Sequence, residues 1–303
     1  MPIVSGILNV HKPGGPTSFD VIRAVRRGTG VRKAGHAGTL DPLASGVLLV
    51  LLGQAVRISE YVMDLPKTYR AVVRLGVATD TYDAEGTPAG PAQAVDVSRE
   101  DVSGALAAFV GEIEQTPPVY SAVKVRGQPA HRLARKGAAV ALRPRPARID
   151  RIELLRFEPP DVAIEVECGK GTYVRSLAHD LGQALGCGAH LASLVRTRVG
   201  AFSVDSAVSL ADLEQAFEAG EWSDFLLPMD CGLTHLPAIT LHLEDEKDIR
   251  HGQAVRIDEE RLVGVLVEDG RVYRAYAEDG GLVAVVRYDG EEEVWRARKV
   301  FAG

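Results

Sequence analysis

Gly35-His36-Ala37-Gly38-Thr39-Leu40-Asp41-Pro42-Leu43-Ala44-Ser45-Gly46 sets three glycines, a histidine and a carboxylate within twelve residues. Glycine opens backbone conformations closed to other residues. Pro42 keeps Asp41 out of helical geometry. The apolar run VLLVLL at residues 47–52 follows directly and reads as a buried strand. The stretch is therefore a sharply bent loop, anchored by a strand, that aims one carboxylate in a fixed direction. Taken alone, an Asp before a Pro is an ordinary turn residue, so the surroundings must decide its meaning.

Upstream, residues 8–10 read as a short strand and Lys12-Pro13-Gly14-Gly15-Pro16 as a turn. Thr17-Ser18-Phe19-Asp20 has the spacing of a capping box, and Phe19, Ile22 and Val25 form the apolar stripe of a helix ending near residues 28–30. Downstream, residues 54–63 suit a helix, and Ala71, Val73 and Leu75 alternate as a strand over 69–76. Residues 79–91 are loop, and Ser98-Arg99-Glu100-Asp101 caps a helix running to about residue 110. A strand at 121–126 and a short helix at 130–136 follow, closed by Pro144 and Pro146. Residues 161–168 alternate as a half-buried strand. Thr172 caps a helix with Val174, Leu177, Ala178, Leu181 and Leu185 on one face, and 190–199 returns as a strand. Ser209-Leu210-Ala211-Asp212 opens a helix that ends near Gly220. Beyond it lie β-like runs at 262–267, 272–277 and 282–288, spaced by acidic turns. A domain boundary is expected between 234 and 235.

The 303 residues, 46% hydrophobic and 25% charged, suit a globular chain with one large and one small domain. No apolar stretch approaches membrane-spanning length, and the N-terminus lacks the basic-then-apolar order of a signal peptide. Three widely spaced cysteines, Cys168, Cys187 and Cys231, suit a reducing compartment, so a cytoplasmic location is expected, without disulfide frame or zinc cluster. Net charge is −6, yet residues 121–156 carry ten Lys/Arg against two acids, and residues 23–33 carry five and none. Local field rather than net charge attracts phosphates. Gly169-Lys170-Gly171-Thr172 hints at a phosphate loop, but Ile164 stands where its first glycine belongs and Gly171 where Ser or Thr must follow the lysine. No dinucleotide fingerprint follows a strand.

The stretch GHAGTLDPLASGVL resembles the motif that carries the nucleophilic Asp of TruB-type tRNA pseudouridine synthases. The resemblance extends over nearly the whole chain and is densest at residues 5–76, 116–137 and 166–200. It implies an α+β fold: a large mixed, mainly antiparallel sheet flanked by helices (1–234), with an RNA-binding insertion at about 117–147, then a small PUA-like β-barrel (235–303). By that likeness Asp41 is the nucleophile and Arg175, in Gly169-Lys170-Gly171-Thr172-Tyr173-Val174-Arg175-Ser176, its ion-pair partner. Tyr69 packs on the target base, Tyr173 and Leu194 line its pocket, and His36 contacts the RNA beside it. Arg132, Arg135 and Lys136 grip RNA within the insertion, where His131 replaces an expected Tyr. Lys12-Pro13 is the family's first motif and is expected to buttress the loop rather than react.

The implied activity is isomerisation of uridine 55 in the T loop of tRNA. Breaking the C1′–N1 bond and joining C1′ to C5 involves no redox change or phosphate transfer, so neither metal nor organic cofactor is expected. The reaction needs a nucleophilic carboxylate, a group to take the C5 proton, and base flipping. Attack on uracil C6 or on ribose C1′ remains open, as does the group that moves the C5 proton. The expected partner is the tRNA T arm, with no membrane and no obligatory protein partner. The alternatives are a guide-RNA-dependent relative and a protein that only binds or folds tRNA.

Overall fold

The structure is a computed structural model that describes residues 4–121, 123–125, 127–130, 133 and 141–302. His131, Arg132, Arg135 and Lys136, with most of the helix expected at 130–136, lie outside the described residues. The strands are β1 Gly6–Lys12, β2 Ala34–His36, β3 Ser45–Leu52, β4 Lys67–Leu75, β5 Gly111–Gln115, β6 Lys124–Val125, β7 Gln128–Pro129, β8 Arg145–Glu158, β9 Asp161–Cys168, β10 Ala189–Val199, β11 Phe202–Ser203, β12 Val208–Ser209, β13 Leu226–Leu227, β14 Ala238–Thr240, β15 Val272–Tyr276, β16 Leu282–Asp289 and β17 Val294–Val300. The α-helices that fall wholly within the described residues are α1 Ser18–Thr29, α2 Ser59–Asp64, α3 Arg99–Ala107, α4 Val174–Ala184, α5 Leu210–Ala219 and α6 Leu243–Arg250.

The large sheet runs β12-β1-β3-β10-β4-β9-β8-β5, with β2, β11 and β13 attached beside it. It is mixed and mainly antiparallel: only β1 with β12 and β3 with β10 pair in parallel. Strand β3 is central, and its continuous apolar run has a physical reason. Leu48, Val50 and Leu52 enter the core beneath α1 and α4, while Val47, Leu49 and Leu51 enter a second core on the opposite face. Alternate side chains leave opposite faces of a strand, so a strand covered on both sides has no place for a polar residue.

Several expectations need correction. Phe19 is 56% exposed; helix α1 buries Val21, Ile22, Ala24 and Val25 instead. Residues 54–63 split into a 3-10 helix, Gly53–Ile58, and the short α2. Of the strand expected at 121–126, residues 122 and 126 lie outside the described residues; Lys124 and Val125 form β6, which pairs with β7 in a separate hairpin. Thr172 does not cap α4: Tyr173 is the capping residue, without a side-chain cap, and Thr172 Oγ1 turns to Arg148 O at 3.3 Å. Residues 262–267 form no strand.

Strand β8, the longest, was hidden in the basic section. Its ladder with β9 shifts register between Ile149 and Arg151 and between Leu154 and Arg156. Such bulges break the two-residue alternation by which a strand is read.

The C-terminal residues build a separate four-stranded sheet, β14-β15-β16-β17, around Tyr273 and Trp295. The sheet is open rather than a closed barrel, since β14 and β17 are its two edges. An isolated bridge from Val255 to Trp295 adds to the β17 side. This sheet does not stand clear of the large one, because Val285 and Phe301 are buried in the core on the second face of β3. The Gln54 side chain exchanges two hydrogen bonds with the Ala302 backbone, at 2.9 and 2.8 Å. No helix among the described residues is long and apolar enough to cross a membrane.

Candidate active site

Asp41 lies on the bend between β2 and β3, and the bend is tied down on both sides of it. Ser18 Oγ donates to Leu40 O at 2.9 Å and accepts from Leu40 N–H at 2.8 Å. The Gly15 N–H donates to Pro42 O at 2.8 Å. The Lys12 ammonium, fully buried, donates to Pro13 O and Pro16 O at 2.8 Å and reaches Pro42 O at 3.4 Å. Burial brings this ammonium down to about 8, with Asp41 pulling it back up. Where the bend rejoins β3, Gly46 has φ 102°, and a Cβ there would lie 2.2 Å from Arg196 O. Only glycine fits that position.

Helix α4 brings the partner. Arg175 Nε lies 3.0 Å from Asp41 Oδ2, with side-chain exposures of 6% and 39%. Arg175 Nη1 is 3.3 Å from Asp83 Oδ2, and Nη2 donates to Tyr120 O at 3.0 Å. One buried guanidinium is thus shared by two carboxylates, Asp83 being the more deeply buried. Asp83 Oδ1 in turn accepts from Thr81 Oγ1 at 2.5 Å and from Glu85 N–H at 3.1 Å. Burial raises the Asp41 carboxyl above its ordinary range; Arg175 opposes this, Asp83 adds to it, and Lys12 opposes it. The carboxylate touches solvent yet sits at the floor of a concavity, so accessibility and partial desolvation coexist.

A chamber of about 290 Å³ opens over Asp41 and Arg175, lined also by Tyr69, Tyr173, Leu194 and Arg196. That is the lower end of small-ligand cavities, about 300 Å³, and matches a single base rather than a nucleotide chain. A second space, about 510 Å³, meets Asp41 from the other side and is lined by His36, Phe19, Asp83 and Tyr120. The sequence-predicted residues Asp41, Tyr69, Tyr173, Arg175 and Leu194 therefore meet at one chamber, and His36 stands at its neighbour.

Strand register explains part of this meeting. Tyr69 on β4 pairs with Arg196 on β10, and Ala71 with Leu194. Burial pushes the Tyr69 hydroxyl up, and the adjacent Arg196 guanidinium opposes the shift. His36 is held below its usual value by burial and then by Arg196. Burial likewise raises Tyr173.

Four residues of this site escaped the sequence reading. Asp83 lies in a loop rich in Asp, with no local signal to single it out. Arg196, 1% exposed, donates to Val47 O at 2.7 Å and Gly38 O at 3.0 Å, so it holds the Asp41 bend from behind. Gln115 Oε1 accepts from Tyr173 N–H at 2.9 Å, and its Nε2 donates to Tyr173 O at 3.3 Å. Lys67, whose ammonium burial brings down to about 8, also lines the chamber.

This architecture is the pseudouridine-synthase fold. It superposes on a chain of an H/ACA RNP bound to a substrate RNA containing 2′-deoxyuridine with a TM-score of 0.74, at 27% identity, covering 98% of this chain and 85% of that one. A Cbf5-Nop10-Gar1 complex gives a TM-score of 0.73 at 28% identity, over 98% and 84%.

The chain belongs to the TruB family of pseudouridylate synthases: the family model "TruB family pseudouridylate synthase (N terminal domain)" matches residues 26–174, and "tRNA pseudouridylate synthase B C-terminal domain" matches residues 175–234. The tRNA pseudouridine synthase B of Dehalococcoides mccartyi (strain ATCC BAA-2100) is 42% identical over 298 residues, 98% of this chain and 97% of the relative. That of Thiobacillus denitrificans is 44% identical over 283 residues, 92% and 94%.

Proposed function

We propose that this chain isomerises uridine to pseudouridine in tRNA, at position 55 of the T loop, with Asp41 as the nucleophile. The observation that carries this is the Arg175 guanidinium 3.0 Å from Asp41 at the floor of a base-sized chamber. The full-length match to relatives named tRNA pseudouridine synthase B supports the substrate.

The flipped uridine enters between Tyr69 and Tyr173 with Leu194 against its edge. Asp41, kept ionised by Arg175 against the pull of burial, forms a bond to uracil C6 or ribose C1′. The C1′–N1 bond breaks, the base turns, C1′ bonds to C5, and the C5 proton leaves as N1 regains one. Release of Asp41 completes an isomerisation in which no atom is gained or lost. The Tyr69 hydroxyl, pushed up by burial, stays protonated near neutral pH, so it serves as a stacking surface and relay rather than as a free base. His36 contacts the RNA from the adjoining space, and Lys12-Pro13 buttress the bend.

Arg132, Arg135 and Lys136, in the insertion at about 117–147, supply phosphate contacts. Residues 235–303 form a PUA-like RNA-contacting unit; the separate four-stranded sheet and the end of the second family match at residue 234 support that division. The enzyme works in the cytoplasm without an obligatory protein partner; three free cysteines are in keeping with that compartment.

Guide-RNA dependence is the second reading, favoured by the H/ACA structural neighbours. Their identities of 27% and 28% fall well below the 42% and 44% of the tRNA enzymes.

Mass mapping of an unmodified tRNA transcript after incubation with the purified chain separates the readings. Pseudouridine at position 55 from protein and tRNA alone is expected, and Asp41→Ala should bind the transcript but form none. Product appearing only with a second RNA would favour the guided reading. No product under either condition would leave a tRNA-binding or tRNA-folding protein.

A further inference from the structure

Helix α4 carries Arg175 and His179 four residues apart, so both side chains leave one face of the helix, a turn apart. That face meets two consecutive residues, Tyr82 and Asp83, of the loop that follows β4. Arg175 Nη1 lies 3.3 Å from Asp83 Oδ2. The His179 ring lies flat on the Tyr82 ring, centroids 3.9 Å apart and planes 17° from parallel.

Tyr82 has φ 65°, a left-handed conformation shared among described non-glycine residues only with Glu293. For a bulky residue such a backbone is strained and persists only where its surroundings over-determine it. Here the restraints are visible. Leu191 N–H donates to Tyr82 O at 2.9 Å, Tyr82 N–H donates to Thr79 O at 3.3 Å, and Thr79 Oγ1 donates to Asp83 O at 2.7 Å. The ring is pinned by His179. The buried Nδ1 of His179 has no hydrogen-bond partner among the described residues.

We propose that the Tyr82–His179 ring pair is a positioning device: it holds the strained bend that delivers Asp83 to Arg175, and so fixes the guanidinium that faces Asp41. Tyr82 and His179 are positioning residues, acting only through Asp83. This role rests on Asp41 and Arg175 being the reacting pair proposed above. Without the ring contact the bend relaxes toward ordinary backbone geometry, and the Asp83 carboxylate withdraws. Arg175 then keeps Asp41 and Tyr120 O but loses the carboxylate that fixes its Nη1 end.

The test uses the full chain in single-turnover pseudouridine formation on tRNA transcript, with binding and thermal melting measured in parallel. His179→Ala should slow the chemical step about tenfold or more, the cost of a small misplacement near reacting groups, with tRNA affinity unchanged. His179→Phe, which restores a flat ring, should return most of the rate. Tyr82→Ala, which removes the ring but leaves a strained left-handed backbone, should be as slow as His179→Ala. In an Asp83→Asn background, His179→Ala should cost nothing further.

A wild-type rate for His179→Ala or for Asp83→Asn would overturn the proposal, as would losses that multiply in the double variant. Should the wild-type chain form no pseudouridine, the proposed function falls, and the ring pair is judged separately by crystallography of His179→Ala. A displaced Asp83 supports the device, and an Asp83–Arg175 pair still at contact distance overturns it.

Discussion

Asp41 is a carboxylate whose surroundings on balance disfavour its charge. Burial is the largest influence and Arg175 the main opposing one. In the proposed role of nucleophile Asp41 must be ionised, so the acid limb of the single-turnover rate should lie above the ordinary Asp value of about 3.9. Arg175→Met removes the main opposing charge and should move that limb to higher pH while lowering the plateau; an unmoved limb would show that the guanidinium does not keep Asp41 ionised. For stability the sign is the reverse of a salt-bridged surface acid. Between the ordinary and the raised value the folded chain binds the proton more than the unfolded chain does, so stability falls as pH rises through that window and stays lower above it. Asp41→Asn cannot ionise and should be at least as heat-stable as wild type at pH 7, though inactive; a clearly lower melting temperature would contradict this. Asp41, Tyr69, Tyr173, Arg175 and Leu194 were legible from their motifs. Asp83 and Gln115 were not, because their importance lies in what they touch rather than in what flanks them.

Helix α4 begins without a side-chain cap, yet its first turn must aim both Tyr173 and Arg175 into one chamber. The end of β5 supplies what the cap does not. Gln115, 2% exposed, closes on both backbone groups of Tyr173, and Ser176 Oγ donates to Thr116 O at 2.7 Å. Gln115→Leu keeps similar bulk but leaves the Tyr173 N–H unpaired, while Tyr173 O keeps its bond from Leu177 N–H at 3.1 Å; one such unpaired group costs about 1–3 kcal/mol. Urea unfolding should show a loss of that order together with a reduced chemical rate, and full stability would remove Gln115 from the helix start. Strand β8 carries a lesson about reading charge. Its arginines looked like part of a phosphate-gripping run, but three of the four are paired: Arg148 with Asp150 at 2.6 Å, Arg151 with Glu153 at 2.9 Å and Glu165 at 3.0 Å, and Arg156 with Glu158 at 3.4 Å. Glu165 comes from the neighbouring strand, and nothing local in the sequence announces it.

The whole molecule's field therefore differs from the linear charge count. Replacing Arg132, Arg135 and Lys136 with Ala should weaken tRNA binding and flatten its dependence on salt, whereas replacing Arg148, Arg151 and Arg156 should leave the slope nearly unchanged, because those charges are already compensated. Equal effects of the two triple variants would refute the distinction. The two sheets are also joined more firmly than a linker would suggest. Phe301, 1% exposed, packs with Val285 into the core behind β3, and the Arg57 guanidinium lies 5.6 Å from its ring centre. Phe301→Ala should lower stability by about 3–5 kcal/mol in denaturant unfolding of the full chain. A loss below about 1 kcal/mol would mean the tail is loosely docked.

Local chemistry was enough to write the Asp41 bend, the buried course of β3 and the capping boxes of α1 and α3, because glycine φ, proline geometry, caps and alternation act over a few residues; the mainly antiparallel α+β class followed from the family resemblance instead. The sharing of one guanidinium by Asp41 and Asp83, the grip of Arg196 on the Asp41 bend, the pairing of Arg148, Arg151 and Arg156 on β8 and the open C-terminal sheet were settled only by the folded chain. Each depends on groups distant in sequence becoming neighbours, and a short window of residues holds no record of that distance being closed.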